Sequence, residues 1–225
     1  MRKLILIIAL LFTGKLLLAQ SVRFGIKGGF NEAFIDGGPL PDGTVGIFRP
    51  GFHVGIFKDY ALTNKWSIQP ALLYIIKGYK VTTDTQIPGP PPSGVQPLHE
   101  DGKQTYQYLE LPINILYNIK IKNTKIFVGG GPYMGYLFTA VGQRNTSVNN
   151  GAPVFTEIKR EVGGSGTFKR IDLGVGMLIG VAIKNGLLLS YGFSNGFTNI
   201  IANQGTNPTP MTKNRVMTFS LGYAF

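Results

Sequence analysis

Read in steps of two, the last thirteen residues, KNRVMTFSLGYAF, separate into two faces. One is bulky (Met217, Phe219, Leu221, Tyr223, Phe225) and the other small or weakly polar (Val216, Thr218, Ser220, Gly222, Ala224). A period of two is the signature of a strand whose faces meet different surroundings. The same division recurs upstream. Val22, Phe24, Ile26 and Phe30 oppose Arg23, Gly25, Lys27, Gly29 and Asn31, while Leu109, Leu111, Ile113, Ile115 and Tyr117 oppose Glu110, Pro112 and Asn114. Ile171, Leu173, Val175, Met177 and Ile179 oppose Asp172, Gly174 and Gly176. Ile68, Leu72, Tyr74 and Ile76 oppose Gln69, Ala71 and Lys77, with Leu73 and Ile75 blurring the division. Around Gly129, Gly130 and Gly131 no phase is legible.

These segments predict eight strands, at 22–31, 47–58, 66–80, 104–118, 124–138, 168–183, 186–197 and 213–225. The connections between them alternate in length. Short turns are expected at 60–65, 120–123 and 184–185, and long ones at 32–46, 81–103, 141–167 and 198–212. That alternation predicts an all-β, eight-stranded antiparallel up-and-down barrel with both termini and the short turns on one side.

Facing decides between a soluble barrel and a transmembrane one. In a soluble, lipocalin-like carrier Ile179, Phe219 and Leu221 would turn inward, and the glycine-and-charge face would meet water. Glycines interspersed with charges make a poor core for a soluble barrel but a good lining for a narrow lumen, where small residues leave room for long side chains from across the barrel. The bulky face then meets lipid. It includes Phe24, Ile26, Leu111, Ile113, Leu173, Val175, Met177, Ile179, Leu189, Tyr191, Phe219 and Leu221. Aromatics near predicted strand ends are read as interfacial girdles. Among them are Tyr60, Trp66, Tyr79, Tyr106, Tyr117, Tyr136, Phe138, Phe168, Phe197 and Tyr223. Phe225 reads as a C-terminal aromatic signal for the machinery that inserts such barrels.

Composition refines the setting. Residues 1–20, MRKLILIIALLFTGKLLLAQ, carry Arg2 and Lys3, an apolar run and Ala19, as a cleaved signal peptide does. The barrel domain is then 21–225. Without Arg2, Lys3 and Lys15 the net charge falls from +11 by three to +8. Basic residues spread over strands and turns of an exported chain point to anionic lipid headgroups, not to nucleic acid. Cysteine is absent, so neither disulfides nor thiolate metal sites are expected.

At 108–138 the string YLELPINILYNIKIKNTKIFVGGGPYMGYLF resembles the central hairpin of the PorT-like small outer-membrane β-barrel family. FGIKGGFN, RIDLGVGMLIG and YGFSNGFTNI extend the resemblance over most of the mature chain. It implies a Gram-negative outer-membrane barrel, with an association to secretion-system assembly in the namesake branch, and no chemistry.

The candidate lumen network is Arg23, Lys27, His53, Gln69, Lys77, Glu110, Asn114 and Asp172. Buried charges must be paired or hydrated, so Lys27 and Glu110 are expected to interact in a network that closes the lumen. Of the two histidines, His99 stands beside Glu100 and Asp101 in a Pro- and Gly-rich stretch expected to be an extended loop with polyproline character at Pro90–Pro92. No spaced metal ligands, catalytic set or cofactor motif is seen. The expected role is non-enzymatic: surface binding or assembly, with lipids around the wall and a protein partner at the long loops or the periplasmic rim. A small pore is the second reading and a lipid-modifying enzyme the third.

Overall fold

The computed structural model describes residues 22–36, 44–89, 94–164, 167–202 and 211–225. The expected signal peptide and Pro90–Pro92 lie outside these residues. Among the described residues ten strands form: β1 (Val22–Asp36), β2 (Thr44–Ile47), β3 (Arg49–Ala61), β4 (Trp66–Pro88), β5 (Val95–Ile121), β6 (Thr124–Val148), β7 (Val154–Arg160), β8 (Ile171–Ile183), β9 (Leu187–Gly196) and β10 (Lys213–Ala224). Eight close a ring in the order β1, β3, β4, β5, β6, β8, β9, β10, and β10 pairs back with β1. Every pairing in the ring is antiparallel, and because β10 closes on β1 the wall has no free edge.

The predicted facing holds around the wall. Phe24, Ile26, Leu173, Val175, Met177, Ile179, Leu189, Tyr191, Phe219 and Leu221 are exposed on the exterior, while their alternating neighbours turn inward. An apolar exterior of this kind is what a bilayer requires. Two residues of the expected lipid face depart from it. Leu111 keeps the outward phase opposite Met134 but is only 9% exposed, and Ile113 is half-buried.

Inward aromatics fit because glycines receive them. Phe57 lies opposite Gly25, Phe127 opposite Gly180 and Tyr133 opposite Gly174. A Cβ at any of these glycines would come within 2.4–2.5 Å of the ring facing it. The lumen therefore holds two apolar clusters. Phe57, Ala71, Leu73, Leu116, Phe127 and Leu188 pack toward the short turns, and Ile75, Tyr106, Tyr108, Leu137 and Val216 pack toward the other end. Leu73 and Ile75, which blurred the pattern of β4, are thus core residues.

At that second end two connections fold inward. Phe168 bridges to Val162 and Ile201, the amide of Lys169 donates to Ile200 O at 2.9 Å, and Phe168 and Ile200 are buried in the cluster. Phe168 and Tyr106, expected in a girdle, are lumen residues here, with ring centroids 5.0 Å apart. Trp66 and Tyr117 do lie on the exterior by the short turns, and Phe52, Tyr74 and Phe138 form an aromatic row farther up.

The largest departure from expectation is above the wall. Residues 81–88 and 95–103, expected within an extended loop, are the two paired arms of a hairpin whose pairing runs unbroken from Leu73 with Glu110 to Pro88 with Val95. β6 continues to Val148 after a bulge at Phe138 and turns back as β7. That bulge switches the inward set from odd to even positions, which together with the glycine run hid the phase of β6. With β2, these strands make a five-stranded sheet in the order β2, β4, β5, β6, β7, standing beyond the ring.

Candidate functional site

Lys77 is the centre of the lumen. Its ammonium lies 2.5 Å from Glu110 Oε2 and 3.3 Å from Asp172 Oδ2; Lys77 and Asp172 are 0% exposed and Glu110 6%. Register explains how three strands converge. Glu110 is opposite Gly135 and Gly135 is opposite Asp172, so the two carboxylates flank a position with no side chain. The Tyr133 hydroxyl donates to Asp172 Oδ2 at 3.4 Å, and Asn214 Nδ2 donates to the same oxygen at 2.9 Å and to the Tyr108 hydroxyl at 3.2 Å. The Tyr108 and Tyr133 rings, with centroids 5.0 and 4.6 Å from the ammonium, add cation–π attraction.

Beside this network is a chamber of about 70 Å³ lined by Lys27, His53, Glu110, Asn114, Ser190 and Ser220, among others. His53 Nε2 and Ser220 Oγ are 2.8 Å apart, bridging over Gly29, which is opposite both. Lys27 shares the chamber with Glu110, but the carboxylate's ion pair is with Lys77, not with Lys27 as the sequence suggested. The reach of a side chain across a tilted barrel is not readable from its position along the strand. Gln69 and Asn114 are buried opposite each other. Lys77 is paired with both Glu110 and Asp172, the condition under which buried charges are tolerated, whereas Lys27, also buried, has no ion pair among the described residues.

Arg23 takes the inward phase but is exposed at the short-turn mouth, so it belongs to the rim and not to this network. Tyr108, Tyr133 and Asn214 were missed as members. Tyr108 shares parity with Glu110 and Asn214 with Ser220, which is the signal that carries them; the glycine run hid Tyr133. Phe225 is exposed, its ring stacked on Phe24 with centroids 6.3 Å apart.

The protruding sheet has a different character. On its outer face Thr82 is opposite Asp101 and Asp84 opposite His99. His99 Nδ1 lies 2.6 Å from Asp84 Oδ1 and Nε2 3.4 Å from Asp101 Oδ2, and the Thr82 hydroxyl donates to Asp101 Oδ1 at 2.7 Å. The carboxylates flanking His99 are therefore Asp84 and Asp101, while Glu100 pairs with Arg144 at 3.1 Å on the opposite face. Below this cluster is a groove of about 390 Å³, with Ile47 at one side, Phe155 at the other and Lys80, Lys103, Gln143 and Asn145 between. Among the described residues no group of three His, Asp or Glu side chains is placed to hold a metal ion.

Solved structures of outer-membrane proteins are similar to the chain at low identity. Ail, the attachment invasion locus protein of Yersinia pestis, is 10% identical with a TM-score of 0.39, covering 90% of this chain and 98% of that one. The outer membrane protein OprG from Pseudomonas aeruginosa is 15% identical with a TM-score of 0.45, covering 92% and 97%. Neisserial surface protein A is 14% identical with a TM-score of 0.36, covering 91% and 99%. At these values they bear on no residue's role. A search of curated proteins found no match in sequence. Residues 18–202 match the family described as outer membrane protein beta-barrel domain, which accords with the ring and its apolar exterior: the chain belongs to that family, and its place is the outer membrane.

Proposed function

We propose that the protein is a non-enzymatic surface-binding barrel with a closed lumen, working through the sheet that stands outside the membrane. The observation that carries this reading is the continuation of β4, β5 and β6 beyond the ring into a paired sheet with a groove on its outer face. The lumen supports it from the other side. An eight-stranded barrel is only wide enough for its own side chains, and here they fill it. A catalytic reading has less support: His53 is buried against Ser220, and both ring nitrogens of His99 face carboxylates.

Within the family, the β5–β6 hairpin string supports the PorT-like branch, whose assembly association would place a partner at the periplasmic rim instead. Phe225, exposed at the last position, is proposed as the insertion signal. Its deletion is expected to lower insertion in cells more than stability after refolding in detergent. The test of function is capture from cells with the intact barrel and with a form in which residues 84–99 are replaced by a two-residue turn. A partner lost on shortening is expected; a partner retained equally by both forms contradicts the role of the sheet.

A further inference from the structure

At the short-turn mouth a pocket of about 180 Å³ brings together Arg23, Lys120, Lys122, Lys125 and Lys184 with a single carboxylate, Asp59. Asp59 Oδ2 accepts from Lys125 Nζ at 2.8 Å, and among the described residues the other four cations have no ion pair. The floor has the opposite character. Asp59 and Asn118 are buried, and Asp59 Oδ1 and Asn118 Oδ1, both acceptors, have no hydrogen-bond donor among the described residues. A buried acceptor without a donor is costly.

Two local choices at this mouth also oppose stability. Lys120 and Lys125 are directly opposite across β5 and β6, and like charges in that relation repel. Lys122, in the two-residue turn, has φ +52°, a conformation that asparagine or glycine adopts far more easily than lysine. Local rules broken together at one place mark a functional site more often than a structural one.

We propose that this mouth binds a polyol phosphate, with the phosphate held by the basic rim and hydroxyl groups donating to Asp59 Oδ1 and Asn118 Oδ1. An anion alone satisfies the rim but leaves the floor unpaired, and a polyol alone satisfies the floor but leaves the cations unneutralised. A phosphate ester of glycerol does both. Two sources carry that chemistry in the periplasm: the headgroup of phosphatidylglycerol in the adjacent leaflet, and a soluble glycerol phosphate. The site is separate from the extracellular sheet and stands or falls apart from it.

The test is titration of the refolded barrel in uncharged detergent with glycerol phosphate, inorganic phosphate and glycerol at one ionic strength. Glycerol phosphate is expected to bind about tenfold more tightly than inorganic phosphate, because only the ester reaches the floor acceptors. The informative variant is Lys120→Gln with Lys122→Asn. It removes a repulsion and a strained φ, so its thermal midpoint should equal or exceed the wild type's while its affinity falls by about tenfold or more. Equal affinity for the ester and inorganic phosphate, or unchanged affinity in the variant, would overturn the proposal.

Nanodiscs of phosphatidylglycerol or phosphatidylcholine, read by native mass spectrometry of the ejected barrel, separate the sources. Phosphatidylglycerol retained by the wild type and lost from the variant assigns the headgroup. Binding of the soluble ester with no retained lipid assigns the free phosphate. Absence of both defeats the site.

Discussion

The same three strands, β4, β5 and β6, live in two solvents. Inside the ring they alternate between an apolar exterior and an interior of glycines, aromatics and buried charge. Beyond it their pairing continues, but both faces carry polar pairs: Asp84 with His99 and Thr82 with Asp101 on one, Glu100 with Arg144 on the other. Hydrogen bonding along the strands is common to both regions, so the ladder does not distinguish them. What differs is the consequence of a charge. In the lumen Lys77 requires two carboxylates, two aromatic rings and an amide nearby, whereas His99 is one exposed member of a solvated cluster. Stability is therefore expected to reside in the ring more than in the sheet.

Removing the central cation should show this most strongly. Lys77→Met strands Glu110 and Asp172 without their shared partner and is expected to cost ~3–5 kcal/mol in denaturant unfolding from detergent micelles. Adding Glu110→Gln should recover part of that loss, because the two side chains are in contact. Additive losses in the double variant would break the claim that they form one unit.

The exterior of the ring comes next. Val175→Arg or Leu221→Arg puts a charge into hydrocarbon and should cost ~2–4 kcal/mol near the bilayer middle. Gly176→Ser on the inward face should stay within ~0.5 kcal/mol, since an added Cβ finds its nearest neighbour, Phe193 O, at 3.5 Å. Gly174→Ser, by contrast, meets the Tyr133 ring at 2.5 Å and should be clearly destabilising. If both glycines behaved alike, the inward packing described for β8 would be incorrect.

Shortening the sheet should matter least to the barrel. Replacing residues 84–99 by a tight turn is expected to change unfolding of the ring by less than ~1 kcal/mol, since no lumen contact is lost. A larger loss would mean the two regions are not independent.

The smallest effect is a pH dependence confined to the sheet. Hydrogen bonds to Asp84 first, and to Asp101, hold the pKa of His99 above its ordinary value of 6.5. Its folded pKa being raised, its contribution to hairpin order is fully present below that ordinary value and fades as pH rises through the higher one. The Thr82 hydroxyl foremost, with His99, holds the Asp101 carboxyl below its ordinary range, so its contribution fades only as pH falls through that lowered value. Amide protection factors across the hairpin, taken relative to the intrinsic base-catalysed exchange rate at each pH, should fall on going from pH 6 to about 8 in the wild type and stay flat in His99→Gln.

Much of the ring was legible because period two is enforced wherever one face meets lipid and the other a crowded lumen. β8 and β10 read cleanly for that reason, and the short turns fell where expected. Outside the membrane the enforcement lapses. Val81, Thr83 and Glu100 carry no facing code, so 81–103 reads as loop although residues 81–88 pair with 95–102. Candidate lumen residues were found by parity, which says that Lys27, Lys77, Glu110 and Asp172 turn inward but not which of them touch. Contacts across the barrel depend on strand tilt and on glycines such as Gly135 that leave room, and neither is written in any single strand. Arg23 has the right parity yet stands at the mouth, because depth along the axis is a separate coordinate.

Whether the lumen is closed is decided by planar-bilayer recording of the purified wild-type barrel. No steady conductance is expected at moderate voltage, because Lys77 with its two carboxylates and the aromatics on either side of them occupy the cross-section. A stable open level in the wild type, reproducible from one insertion to the next, would contradict a closed lumen.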